Sequence, residues 1–201
     1  NIYGIVGQNG SGKTMLLRAI AGLICLNRGT ITVDGKVLNK DISFPPDIGI
    51  IIEKPELLPY LSGLENLKLL AEIRNIILPY LSGLENLKLL AEIRNIISYD
   101  DIKHYMDKFG LNFNSKQIVK KYSLGMKQKL GIIQAIMEDP SLLLLDEPFN
   151  ALDAESVDIL RSILLQYKEQ GKLIILTSHH QEDIMSVCNQ VIHLQDGCIL
   201  N

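Results

Sequence analysis

The sequence predicts an α/β fold in which a parallel β-sheet is interrupted by a helical insert. Three observations support this: an apolar run that leads into a glycine-rich loop at 7–14, four consecutive leucines that end in two carboxylates, and apolar strand patterns that alternate with helical ones. Such alternation is typical of parallel sheets covered by helices. Because no Gly/Ser-rich or Pro-rich linker divides the chain, we expect one domain over 1–201, with its core at 1–57 and 137–201 and a helical subdomain at 58–136.

The first predicted strand, at 2–6, leads directly into the loop GQNGSGKT. This loop matches the pattern G-x-x-x-x-G-K-[ST] in full, and apolar periodicity at 15–24 predicts a helix after it. Glycines let successive N–H groups turn toward phosphate oxygens, and the helix directs its positive end at the same anion. Lys13 supplies a point charge for the β- and γ-phosphates, and Thr14 offers a hydroxyl to Mg²⁺. The predicted phosphate site comprises Gly7, Gln8, Asn9, Gly10, Ser11, Gly12, Lys13, Thr14 and Met15.

The four leucines at 142–145 lie between Pro140 and Pro148 and predict a short strand that is buried on both faces. Asp146 and Glu147 follow at its carboxyl end, where open α/β sheets bind their ligands. A core strand that simply meets solvent would give the same pattern, so this motif alone leaves both interpretations open.

The remaining elements follow from local patterns along the chain. The region 58–136 is mostly helical in pattern. Elsewhere we predict a strand and turn at 30–35, a buried strand at 47–52, a helix at 154–170, a strand at 173–178 and a strand at 191–194 before an Asp-Gly turn.

Composition excludes several classes of protein. The chain has 201 residues, is 47% hydrophobic and carries a net charge of −3, so it can bury a core and offers no overall electrostatic attraction to nucleic acid. Its three cysteines include no C-x-x-C pair, which fits a reducing, cytosolic setting. No apolar run is long enough to span a bilayer. Any membrane role is therefore expected to come through another chain.

An exact tandem repeat is the most unusual feature of the chain: LPYLSGLENLKLLAEIRNII at 58–77 recurs unchanged at 78–97. Ser62 and Ser82 each stand three residues before a glutamate, as in a capping box, so we expect two separate helices. Two copies are too few for a solenoid. We predict that one copy occupies the native helical position, whereas the other is extruded or packs as an additional hairpin arm.

Three further motifs are YSLGM at 122–126, NALD at 150–153 and TSHH, which contains His179. Together with GQNGSGKT and LLLLDEP, their order and spacing resemble the nucleotide-binding domain of ATP-binding cassette (ABC) transporters over nearly the whole chain. In that family, YSLGM is similar to the signature, NALD to the D-loop, and His179 to the switch histidine. GQNGSGKT is similar to the Walker A motif and LLLLDEP to the Walker B motif. The resemblance implies a P-loop NTPase fold, with a RecA-like parallel sheet core and a helical subdomain of the ABC ATPase type.

The resemblance also implies a role for each site residue. Glu147 would orient or deprotonate the attacking water, His179 would contact the γ-phosphate, and Lys13 would offset developing charge. Thr14, Asp146 and Glu53 would hold Mg²⁺. Ser123 and Gly125, too far from their own phosphate-binding loop, would cap the ATP of a second subunit.

The implied protein is an ATP-hydrolysing subunit that powers export through a separate permease. The local sequence IGIIIEKPELLPYLSGLENL is similar to sequences of the drug, bacitracin and lantibiotic export branch of the family. ATP and Mg²⁺ are the expected cofactors. The expected partners are a second nucleotide-binding domain, identical or not, and a transmembrane permease, with no nucleic acid. We expect a cytoplasmic protein bound to the inner face of the plasma membrane through that permease.

The sequence departs from the family pattern at several positions. Glu53 stands where the family usually has glutamine, and it adds negative charge near phosphate. Leu124 and Met126 replace the first glycine and the glutamine of the signature. The aromatic residue that stacks on adenine usually lies upstream of Walker A, so we expect a chain that begins at Asn1 to lack the family's first strands.

Three alternatives stay open at this point. A soluble ABC mechanoenzyme that acts on ribosomes or DNA would share every motif. A nucleotide-binding module with impaired hydrolysis would follow if the repeat or the changed positions prevent turnover. A GTPase is less well supported, because Asn39-Lys40-Asp41 only approximates N-K-x-D.

Overall fold

A computed structural model describes residues 1–52, 77–179 and 181–200. Within these residues, six strands form one sheet in the order β4-β5-β6-β1-β7-β8, and a separate antiparallel ribbon consists of β2 and β3. The strands are β1 Ile2–Val6, β2 Thr32–Val33, β3 Lys36–Val37, β4 Ile48–Ile51, β5 Leu142–Leu145, β6 Leu173–Ser178, β7 Gln190–Gln195 and β8 Cys198–Leu200. Neighbouring strands from β4 to β7 pair in parallel, and β8 pairs antiparallel to β7.

The helices of the described residues are α1 Lys13–Ile20, α2 Gly83–Arg94, α3 Tyr99–Lys108, α4 Leu124–Ile136, α5 Ala154–Glu169 and α6 Gln181–Val187. A short 3₁₀ turn at Val119–Lys121 precedes α4. The predicted α/β architecture is therefore confirmed. None of these helices is long and apolar enough to cross a membrane. Cys25, Cys188 and Cys198 are free thiols.

Strand β5 shows why the sheet forms as it does, since its four leucines are all buried. Leu143 and Leu145 pack into one hydrophobic core, and Leu142 and Leu144 pack into another on the opposite face. Successive side chains of a strand point to opposite faces, so an uninterrupted apolar run requires cover on both. The helix α1 covers one face, through Leu17.

The opposite face of the sheet shares a continuous core with the helical segment 77–136. Buried members of that core include Leu87 of α2, Met106 of α3 and Leu130 of α4, each fully shielded from solvent. Helix α4 also approaches the sheet backbone closely: a Cβ at Gly49 of β4 would lie 2.0 Å from the Ala135 carbonyl oxygen. Glycine is therefore required at this crossing.

The second copy of the repeat forms α2. Ser82 caps this helix, because its side chain accepts from the Glu85 amide and the Glu85 carboxylate accepts from the Ser82 amide. The capping box predicted at this copy is confirmed, and Pro79 lies in the turn before it. The first copy, with Ser62, lies outside the described residues except for Ile77. The prediction of two separate helices therefore stays a prediction.

Some predicted boundaries were wrong. The helix predicted at 15–24 spans Lys13–Ile20, because Gly22 turns away with a φ of +79° and passes close to Ser43. The strand and turn predicted at 30–35 are both present: the strand is confined to Thr32–Val33, and Asp34 and Gly35, which have positive φ, form the turn into β3. Neither α6 nor β8 was predicted.

Candidate functional site

The loop at 7–12 joins β1 to α1 and surrounds the ammonium group of Lys13. The Lys13 Nζ atom donates to the carbonyl oxygens of Gly7 at 2.8 Å and Gln8 at 3.2 Å, and only 6% of the residue is exposed. A buried lysine held by backbone carbonyls keeps its charge at a defined place. The predicted phosphate-binding loop is thus closed around a fixed cation.

Two glycines of this loop are required by its geometry. A Cβ at Gly7 would lie 2.2 Å from the Leu194 carbonyl oxygen, and Gly12 has a φ of +102° at the start of α1. These positions admit no larger side chain without strain. The local sequence therefore sets the path of the backbone.

Several groups of the loop suit an anion. No side chain caps the N-terminus of α1, and the Ser11 Oγ atom is buried without a hydrogen-bond partner. Free N–H groups and the helix dipole favour negative charge at such an end. A cleft of about 310 Å³ runs beside the loop, lined by residues 6–11, residues 193–196 and Leu200. Gln8, Asn9 and Gly10 of this lining are exposed, and so is Met15 in the first turn of α1.

A cluster of oxygen atoms lies where α1 meets the carboxyl end of β5. The Thr14 hydroxyl donates to Asp146 Oδ2 at 2.6 Å, and the Thr177 hydroxyl donates to Asp146 Oδ1 at 2.6 Å. Mg²⁺ in proteins is bound by few carboxylates together with phosphate oxygens and water. Thr14 and Asp146 fit that donor set. The described residues contain no group of three or more His, Cys, Asp and Glu that could hold a metal alone.

Glu147 is held beside this cluster by residues of β6 and the segment after it. His179 Nδ1 lies 2.8 Å from Glu147 Oε2, and the His179 amide donates to the same oxygen at 3.3 Å. The Glu147 amide donates to the Thr177 hydroxyl at 3.0 Å. Glu147 has a φ of +48°, a region that non-glycine residues seldom occupy and that is often found at functional sites.

The signature-like segment starts α4 and contacts the turn after β5. Ser123 caps α4, since its hydroxyl accepts from the Met126 amide at 3.1 Å. A Cβ at Gly125 would lie 2.6 Å from the Ala151 carbonyl oxygen, so the segment packs closely on the D-loop-like motif. Leu124 is 72% exposed. Ser123 accepts hydrogen bonds from the Met126 and Lys127 amides of its own helix turn, and Glu53 lies outside the described residues.

Two contacting residues were missed by sequence reasoning. Thr177 is completely buried and binds both Asp146 and the Glu147 amide, yet the sequence showed it only as part of an apolar strand. Gln128 of α4 donates to the backbone after β5. A polar residue at the end of an otherwise apolar strand was the available signal for Thr177. Gln128 gave none.

Comparisons with known proteins agree with this geometry. A protein-family model described as "ABC transporter" matches residues 1–150. An uncharacterized ABC transporter ATP-binding protein, YybJ of Bacillus subtilis, is 48% identical over 197 residues, which cover 98% of this chain and 81% of YybJ. The bacitracin transport ATP-binding protein BcrA of Enterococcus faecalis is 32% identical over 98% of this chain and 58% of BcrA. The lantibiotic transport ATP-binding protein SrtF of Streptococcus pyogenes is 30% identical over 99% of this chain and 77% of SrtF.

Two solved structures share the fold. The ATP-binding subunit of an ABC transporter superposes with a TM-score of 0.78 at 24% identity, covering 98% of this chain and 76% of that one. A dimeric ATP-binding cassette in a post-hydrolysis state, bound to ADP and Pi, gives a TM-score of 0.73 at 21% identity, covering 100% of this chain and 83% of that one.

Proposed function

Because the chain belongs to the ABC transporter family, as an ATP-binding subunit with ATPase activity, we propose that it powers export through a separate membrane permease. The proposed cargo class is a drug or antimicrobial peptide. Similarity to BcrA and SrtF, whose names give bacitracin and lantibiotic transport, supports this. We also propose that the chain acts at the inner face of the membrane, with a catalytic core at 1–57 and 137–201 and a helical subdomain at 58–136.

The proposed chemistry is phosphoryl transfer from ATP to water, for which positioning and charge neutralisation matter most. The loop amides and the buried Lys13 ammonium bind the phosphates. Thr14 and Asp146, and by resemblance Glu53, would hold Mg²⁺, which would supply further neutralising charge. The Glu147 carboxylate accepts the proton of the attacking water, and His179 orients that carboxylate through its 2.8 Å contact and reaches the γ-phosphate.

We further propose that two cassettes close on two ATP molecules. Ser123 and Gly125 stand at the N-terminal end of α4, where helix N–H groups favour an anion. Within this chain, Ser123 bonds to the Met126 amide and Gly125 packs against the Ala151 carbonyl. They are therefore assigned to the nucleotide of a second cassette, whether identical or not.

The observation that carries the proposal is the contact of Thr14 on α1 with Asp146 at the end of β5, beside Glu147. The test measures ATP hydrolysis by the purified chain and by Glu147→Gln, with light scattering of the variant in Mg-ATP. We expect turnover to fall at least about 100-fold, because the general base is lost. We also expect the variant to dimerise with ATP. Equal turnover in both proteins, or a variant that stays monomeric at saturating ATP, would contradict the proposal.

Permease coupling is tested separately, by affinity purification of the chain from a detergent-solubilised native membrane. Recovery of a polytopic membrane protein is expected. Recovery of ribosomes would instead support a soluble mechanoenzyme, which the net charge of −3 does not favour.

A further inference from the structure

Gln128 lies in the second turn of α4 and reaches across to the turn that follows β5. Its Nε2 atom donates to the carbonyl oxygen of Glu147 at 3.3 Å and to that of Pro148 at 3.1 Å. The side chain is half-buried. An amide that donates to two consecutive carbonyls restricts the orientation of the peptide between them.

The peptide groups on both sides of Glu147 are consequently held. On the N-terminal side, the Glu147 amide donates to Thr177, and on the C-terminal side the Glu147 carbonyl accepts from Gln128. The φ of +48° at Glu147 persists only where the surroundings impose it. These two bonds set the direction in which the carboxylate leaves the backbone.

Two more contacts join α4 to the same turn. Lys129 forms an ion pair with Asp153 at 2.6 Å, and Gly125 packs against the Ala151 carbonyl. Gln128 lies between these contacts along α4. The helix that begins with the signature-like segment is thus fixed to the backbone of Glu147 and to the start of α5.

We propose that Gln128 is a positioning residue for ATP hydrolysis, because it fixes the backbone of Glu147 from α4. This rests on the proposed role of Glu147. When the start of α4 engages the nucleotide of a second cassette, Gln128 connects that event to the carboxylate of its own site.

The test compares Gln128→Met with Gln117→Met in the full-length chain. Methionine keeps the length of the side chain but cannot donate. Gln117 is a matched control, since its Nε2 atom also donates to a backbone carbonyl, that of Lys121 at 3.0 Å. We expect Gln128→Met to lower kcat at least about tenfold, because small misplacement of a reacting group is costly, with KM within about twofold. The control should keep both constants.

Two further measurements make the outcome decisive. In a Glu147→Gln background, Gln128→Met should have no additional effect on kcat, because both act on one group. Amide hydrogen exchange at residues 147–153 should accelerate in Gln128→Met without nucleotide. Unchanged kcat, or unchanged exchange, would overturn the proposal. If the parent chain and Glu147→Gln hydrolyse ATP equally, the function of Glu147 fails, and the exchange experiment still decides whether Gln128 holds this backbone.

Discussion

The carboxyl end of the parallel strands around Asp146, here called the sheet edge, and the helical segment 77–136 are built in different ways. At the sheet edge, residues 132 positions apart meet directly, as Thr14 and Asp146 do at 2.6 Å. In the helical segment, much of the polar bonding is local, as in the capping boxes of Ser82 with Glu85 and Ser98 with Asp101. The difference fits the proposal that this chain supplies one half of a catalytic site, because Ser123 bonds within its own helix turn and is proposed to bind the nucleotide of a second cassette.

The largest effect is expected at the sheet edge, for Asp146→Asn. This variant removes the negative charge of the carboxylate that accepts from the Thr14 and Thr177 hydroxyls. The same carboxylate is proposed to hold Mg²⁺. Metal charge is worth several kcal/mol in a transition state, so kcat should fall about 100-fold or more. The measurement is ATPase activity across a Mg²⁺ titration.

Asp153→Asn is the control for that variant, since Asp153 is also a carboxylate near β5 but pairs with Lys129. Its Mg²⁺ dependence should match that of the parent chain. If both variants lose activity equally, the loss does not reflect a specific role of Asp146 in holding Mg²⁺.

A second pair of variants asks whether the two regions unfold together. Leu130 of α4 and Leu144 of β5 are each completely buried. Truncation to alanine should cost about 2–5 kcal/mol at either site, because a cavity adds to the lost transfer free energy. Since the helical segment shares a core with the sheet, urea denaturation should show one transition in both variants. Two separate transitions in Leu130→Ala would show that the regions are independent.

Two glycines of α4 sharpen the comparison within a single helix. A Cβ at Gly131 would meet nothing within 4 Å, whereas one at Gly125 would lie 2.6 Å from the Ala151 carbonyl oxygen. Gly131→Ala should therefore stabilise the protein by about 0.5–1 kcal/mol, from helix propensity. Gly125→Ala should destabilise it, as measured by thermal unfolding of both variants. A stabilising Gly125→Ala would show that α4 does not pack tightly on this turn.

The smallest effect concerns acid stability. The hydrogen bond from Lys129 and that from the Ser156 amide hold the pKa of Asp153 well below its ordinary value. A depressed pKa contributes stability that is present above the unfolded-state pKa, about 3.9, and is lost as pH falls below it. Asp153→Asn should therefore lower the urea midpoint at pH 7 more than at pH 3. An equal shift at both pH values would contradict this origin.

Sequence reasoning predicted the elements whose residues are consecutive in the chain. The loop at 7–14 and the strand β5 with Asp146 and Glu147 were predicted because each motif is contiguous. It failed where a contact depends on tertiary register. Thr177 reaches Asp146 only because β6 pairs with β5 in the observed register, and Gln128 reaches Glu147 only through the packing of α4. Short elements such as β8 were missed because three residues carry little periodic signal.

The crossing of α4 over Gly49 has a mechanical consequence. With a hypothetical methyl only 2.0 Å from the Ala135 carbonyl, helix backbone and strand backbone touch with no side chain between them. Interposed side chains could absorb a displacement by changing rotamer, but two rigid main chains cannot. A displacement of α4 at this crossing is therefore expected to move β4 with it.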